Sequence, residues 1–175
     1  ACHQGHAEMT AMLVSAGANV NQSRDEEVTP LYIACQQGHA GIASVLLTAG
    51  AAVNQPNNGG FTPLYIACHN GDIATTSVLL AAGAAVNQPN NGGLTPLYWA
   101  CDDGHFACVQ LLSSYGATRT FQFDDGETET AEELAADEHP HVLAWLVESR
   151  QWTTPLHHLT VIDAARARAL LRDGT

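Results

Sequence analysis

Nine histidines and five cysteines are the side chains of this sequence best equipped for chemistry. Metal binding is the first possibility they raise: Cys2-His3-x-x-His6, His139-Pro140-His141 and His157-His158 have spacings that a cation could use. A structural zinc site asks for four convergent ligands and usually for paired cysteines, and no Cys-x-x-Cys occurs in the chain. General acid–base work is the second possibility, from Asp102-Asp103, Asp124-Asp125 and Asp137-Glu138. Side chains adjacent in sequence diverge on a helix rather than converge, and no Gly-x-Ser-x-Gly elbow or phosphate-cradling glycine loop accompanies these pairs. All six basic residues are arginines, so a phosphate-binding lysine and any Schiff-base mechanism are excluded. The expectation is a chain without catalytic residues, cofactor or resident metal.

The elements that would position these residues follow from internal periodicity. Thr29-Pro30-Leu31-Tyr32, Thr62-Pro63-Leu64-Tyr65 and Thr95-Pro96-Leu97-Tyr98 recur with a spacing of 33. The segments Asn54 to Tyr65 and Asn87 to Tyr98 differ only at Phe61 against Leu94. Within the unit 57–89, Thr62 suits a helix N-cap and Pro63 its first turn. Leu64, Ala67 and Cys68 then share one helical face, and Gly71 ends that helix. A second helix is predicted with Ile73, Val78, Leu79 and Ala82 on its inner face, stopped by Gly83. The run Val86 to Gly93 is dense in turn formers and reads as a reversing loop. Two helices this short cannot bury their apolar faces alone, so neighbouring units must stack. Cys2, Cys35, Cys68 and Cys101 hold one position in four successive units. Stacked helices lie about 8–10 Å apart and a disulfide needs α-carbons within about 7 Å, so this ladder reads as small buried hydrophobes.

The pattern resembles the ankyrin repeat family, whose signature is a Thr-Pro-Leu-His-x-Ala stretch on a 33-residue period. Tyr stands for the His in three units, while Thr154-Pro155-Leu156-His157 restores it. Gly38-His39 and Gly104-His105 match the family's Gly-His turn, and Val20-Asn21, Val53-Asn54 and Val86-Asn87 its Val-Asn end. The resemblance implies an all-α solenoid of stacked helix-turn-helix units with hairpin-like loops, about five to six repeats, the first and last incomplete. One domain spans 1–175, with repeats near 1–23 (partial), 24–56, 57–89, 90–122, 123–149 (divergent) and 150–175 (partial or cap), read as a piece of a longer chain. In the divergent repeat the second helix is expected over His141 to Ser149 with Leu143, Leu146 and Val147 inward, and Trp145 and Trp152 filling the packing. His6, His39 and His105 occupy the family's turn position, where an imidazole is expected to tie down local backbone. The family's Val-Asn asparagines can be hydroxylated, which makes Asn21, Asn54 and Asn87 candidate modification sites.

In the family, partners commonly lie in the concave groove formed by loop tips and first-helix ends. The matching residues are Gln36 and Gln37, His69 and Asn70, Asp102 and Asp103 at helix ends, with Asn58, Phe61, Asn91, Leu94, Asp124 and Asp125 in the loops. The ladder runs from neutral polar to doubly acidic, and Tyr32, Tyr65, Tyr98 and Trp99 supply candidate aromatic anchors; alternatively the tyrosine hydroxyls replace the family's His as local hydrogen-bond donors. Six basic against eighteen acidic residues give a net charge of −12, which suits a basic protein or peptide partner and excludes a grip on nucleic-acid phosphates. No apolar run approaches the roughly 20 residues of a membrane span. The expected function is a monomeric, non-catalytic interaction scaffold; alternatives are an adaptor whose residues 121–175 recruit a second protein, such as a ubiquitin-ligase or signalling component, and a substrate of asparagine hydroxylation. Free thiols suit an intracellular setting, cytoplasmic or nuclear.

Overall fold

A computed structural model describes residues 1–123 and 126–151. Asp124, Asp125, Trp152 and the sixth repeat with its Thr154-Pro155-Leu156-His157 lie outside the described residues. In chain order the helices are α1 (Ala7–Ser15), α2 (Pro30–Gln36), α3 (Ala40–Thr48), α4 (Pro63–His69), α5 (Ile73–Ala81), α6 (Pro96–Asp102), α7 (Phe106–Ser114), α8 (Ala131–Ala135) and α9 (Pro140–Glu148). Strands β1 (Thr120–Gln122) and β2 (Thr128–Thr130) pair antiparallel between α7 and α8, with Phe121 opposite Glu129.

Each first helix starts for the reason its sequence states. The hydroxyls of Thr29, Thr62 and Thr95 accept the backbone N–H of Tyr32, Tyr65 and Tyr98 at 3.1, 3.1 and 3.4 Å, and proline follows at the first helical position. The divergent repeat uses a reciprocal cap: Thr130 Oγ1 accepts from Glu133 N while Glu133 Oε2 accepts from Thr130 N. The Thr130 N–H and the Thr130 hydroxyl, which also lies 2.8 Å from Glu133 Oε2 as a donor, hold the exposed Glu133 carboxyl below its ordinary range.

First helices α2, α4, α6 and α8 pack in one row, and second helices α1, α3, α5, α7 and α9 in another. Leu31, Leu64 and Leu97 are at most 1% exposed, and Ala34, Ala67, Ala100, Cys35, Cys68 and Cys101 are fully buried between units. The stack is thus closed by small residues where backbones approach and by one leucine per unit where volume is needed.

Two inner faces differ from the sequence expectation. In α5 the buried stripe is Thr75, Thr76, Leu79 and Leu80, whereas Ile73 is 41% exposed and Ala82 is an exposed cap residue. Ile73 lies about 200° round the helix from Thr75, and the two threonines can be buried because each is bonded. Thr75 Oγ1 donates to the Asp72 carboxylate, and Thr76 Oγ1 lies 3.8 and 3.9 Å from the sulfurs of Cys68 and Cys108. In α9, Val142, Trp145 and Leu146 face inward and Val147 is exposed.

All five cysteines are unpaired, and only Cys2 is not fully buried. Burial pushes the thiols of Cys108 and Cys101 up to about 11 and about 12, and those of Cys35 and Cys68 further still. Because the thiolate is the nucleophile, a thiol-specific disulfide reagent is expected to modify Cys2 alone in the native protein. The other four should react only after denaturation; rapid native modification of two or more would contradict the buried ladder.

Candidate interaction surface

The first-helix ends form a row, as the repeat spacing requires. Gln36 ends α2 with Gln37 as its exposed cap, His69 ends α4 with Asn70 as cap, and Asp102 ends α6 with Asp103 as cap. Their contacts cross repeats. Asn70 Nδ2 donates to Gln36 O at 3.0 Å, and His69 Nδ1 meets Asp103 Oδ2 at 2.9 Å. Three imidazoles crowd the acidic pair: His69, then His105 with Nε2 4.0 Å from Asp103 Oδ2, then His139 with Nε2 2.7 Å from Asp102 O.

His105 therefore does something other than expected, and His139 in the next repeat does the same. His105 Nε2 bonds His69 O and His139 Nε2 bonds Asp102 O, each the last first-helix carbonyl of the preceding repeat. They clamp one repeat to the next instead of tying local backbone. A methyl group on Gly71 or Gly104 would strike the His105 or His139 ring, and both glycines hold positive φ (65° and 68°), so each turn leaves the space its neighbour's imidazole fills.

Asp102 is exposed and has no cationic side chain bonded to it among the described residues. Its carboxyl is raised by partial burial first, then by the negative charges of Asp103 and Glu138. Beside it stands Trp99, where the period places Ile33 and Ile66 in the preceding units. The Trp99 ring is half-buried, edge-on to His69 at 5.0 Å, to Tyr98 at 5.7 Å and to Tyr65 at 6.2 Å. Phe61 stacks on Tyr65 at 4.7 Å, and Tyr98 meets Phe123 at 6.0 Å. A continuous aromatic strip thus runs beneath the acidic pair. Tyr32 and Tyr65 are buried, at 6% and 5% exposed. The Tyr65 hydroxyl accepts a 3.4 Å bond from Asn90 Nδ2 of the next hairpin, a cross-repeat acceptor and not the local donor expected.

At the loop tips, Asn57 and Asn90 each fold a hairpin around the side-chain oxygen, which accepts from Gly59 and Phe61 N, or from Gly92 and Leu94 N. Phe61 and Leu94 are half-buried, and Asn58 and Asn91 are exposed. The tips are stacked: Asn58 N donates to Glu26 O, and Asn91 donates through N to Gly59 O and through Nδ2 to Asn58 O.

Asn21, Asn54 and Asn87 lie after the second helices, apart from this row. Their side-chain oxygens accept the backbone N–H of Ala52, Ala85 and Thr118, 31 residues on, at 2.8–2.9 Å. They are inter-repeat clamps, a role that the Val-Asn motif alone did not announce.

Sequence reasoning missed one cluster entirely. Thr130 stands 35 residues after Thr95, so Glu132 takes the place of the core residue Leu97. Its carboxylate, 9% exposed as a residue, is neutralised by Arg150 Nε at 3.0 Å and Arg119 Nη1 at 3.9 Å. Arg119 also donates to Leu146 O at 2.9 Å and Ser149 Oγ at 2.8 Å, and lies over the Trp145 ring at 5.6 Å. A Glu where the period demands Leu was the available signal.

Among the described residues no three His, Cys, Asp or Glu side chains are grouped to hold a metal, and no helix is long and apolar enough to cross a membrane. A family model described as ankyrin repeats matches the chain in three overlapping copies, over residues 1–90, 53–122 and 78–155. No curated protein matches it.

Proposed function

Because the chain belongs to the ankyrin repeat family, whose repeats are generally protein–protein interaction modules, we propose that it is a non-catalytic scaffold holding a partner protein or peptide with a basic surface in its concave groove. The groove is that of Gln36, Gln37, His69, Asn70, Asp102 and Asp103, flanked by the hairpin tips at Asn58, Phe61, Asn91 and Leu94. One observation carries the choice of a basic partner: Asp102 stands among like charges, with its carboxyl raised, over an aromatic strip. An incoming ammonium or guanidinium relieves that crowding, and its aliphatic stem covers apolar ring surface. The scaffold acts as a monomer inside the cell, where its buried thiols stay reduced.

The test is a pull-down from source extract with three proteins: wild type, Asp102→Lys/Asp103→Lys, and Glu8→Lys on α1, away from the groove. The double reversal should cost roughly 1–2 kcal/mol, about a tenfold loss of affinity, mainly through slower association. Wild-type binding should weaken steeply with salt, since exposed charges are screened over about 8 Å at physiological ionic strength. The same partners retained equally by all three proteins would overturn the groove reading.

A further inference from the structure

The two hairpin tips carry one pentapeptide, Pro-Asn-Asn-Gly-Gly, at residues 56–60 and again at 89–93. Each contains an Asn-Gly pair, and a third, Asn70-Gly71, ends α4. Asn-Gly is the dipeptide in which the following backbone nitrogen reaches the side-chain carbonyl most freely, because glycine has no side chain in the way. All three asparagines are exposed, yet their carboxamides are held differently.

The Asn70 carboxamide is tied to Gln36 O at 3.0 Å, and its would-be nucleophile, Gly71 N, donates to Cys68 O at 3.1 Å. The Asn91 carboxamide is tied to Asn58 O at 2.9 Å. The Asn58 carboxamide has no hydrogen-bond partner among the described residues, although Asn58 N is fixed to Glu26 O. The nucleophiles in the two hairpins make the same hydrogen bond: Gly59 N donates to Asn57 Oδ1 at 3.0 Å, and Gly92 N to Asn90 Oδ1 at 2.9 Å. The two tips therefore differ in the freedom of the carboxamide to turn toward the next nitrogen, and in the Phe61 ring that packs against half-buried Gly59 where Gly92 is exposed.

We propose that Asn58 is a site of spontaneous deamidation and isomerisation, selected by the fold over its sequence twin Asn91. Gly59 N gives up its proton to solvent base and attacks Asn58 Cγ. The N–Cγ bond forms, the Cγ–Nδ2 bond breaks, and Nδ2 leaves as ammonia after taking a proton from solvent. Water then opens the five-membered imide. Addition at Cγ returns the normal main chain with an aspartate; addition at the original main-chain carbonyl leaves an isoaspartate, with the chain routed through Cγ. Nothing is oxidised or reduced, and the balance is one water consumed for one ammonia released. Both products place a carboxylate beside the acidic Asp25-Glu26-Glu27 loop. The isoaspartate also turns the carbonyl that accepts from Asn91 Nδ2 into a carboxylate.

The experiment incubates the full chain at mildly alkaline pH in heavy-oxygen water, natively and in concentrated urea, and follows each asparagine by peptide mass spectrometry with fragmentation that distinguishes aspartate from isoaspartate. The expected native result is label incorporation at Asn58 several-fold ahead of Asn91, with Asn70 slowest. In urea Asn58 and Asn91 should converge, because residues 55–60 and 88–93 are identical in sequence. Equal native rates at the two tips, Asn91 ahead of Asn58, or a difference that persists unchanged in urea would overturn the proposal.

Discussion

Replacing Arg119 with Met is expected to destabilise the protein by about 3 kcal/mol. The reason begins one repeat later, with Glu132 standing where the repeat period places a core leucine. A buried carboxylate is tolerated only when paired, and Arg119 and Arg150 share that task. Burial pulls the Arg119 guanidinium below its ordinary range, and the Glu132 carboxylate opposes the shift. Met keeps the apolar stem but removes the donors to Leu146 O and Ser149 Oγ and the cation over Trp145. Those contacts fasten α9 to the segment leading into β1, so the loss falls on the divergent repeat. Arg119→Lys should recover only part of it, since an ammonium cannot reach both acceptors with a rigid fork. Urea denaturation followed at Trp145 checks this; a shift under about 1 kcal/mol would mean that the cluster acts as a weak surface pair.

Leu97→Ala is expected to cost about 3–4 kcal/mol, within the 2–5 kcal/mol range for fully buried leucines. Leu97 is 0% exposed and lies on α6, packed between α4 and α8. The stack on both sides is fixed by clamps, His105 to His69 O toward α4 and His139 to Asp102 O toward α8, which limits collapse into the cavity. In a nearest-neighbour stack this loss strikes two interfaces, so the unfolding transition should broaden as well as shift, in contrast to Arg119→Met at the edge. Denaturant melts of the two variants side by side decide it; a cost under about 1 kcal/mol at Leu97 would contradict a continuous core.

The contrast between these two residues shows what the sequence could and could not convey. Thr62 and Pro63 act through neighbours within one helical turn, so their roles were legible from spacing alone, as were the helix end at Gly71 and the inward place of Leu64; the space that Gly71 leaves for His105 was not. The row of helix ends was legible too, because a fixed period places equivalent residues side by side. Inner faces of the second helices were harder: Thr75 and Thr76 are polar by type and become core only through partners, Asp72 for one and Cys68 with Cys108 for the other. The clamps were invisible as chemistry because each joins residues 31 to 37 positions apart. A His at a turn looks local until the next repeat is laid against it. Glu132 departed visibly from the period, yet its meaning rested on Arg119 and Arg150, which no motif links to it.

In the groove, the acidic pair was legible as charge but not as environment. Its crowding by His69, His105, His139 and Glu138, and its place above Trp99, arise from three successive repeats meeting at one edge. We propose that the partner is recognised through that edge. The measurement that tests it most directly is backbone hydrogen exchange of the chain, free and bound to the partner recovered by pull-down. Bound protein should show added protection across residues 58–61, 91–94 and 99–103, with the second helices α3, α5 and α7 unchanged. Protection confined to those second helices, with residues 99–103 exchanging as in the free chain, would contradict it.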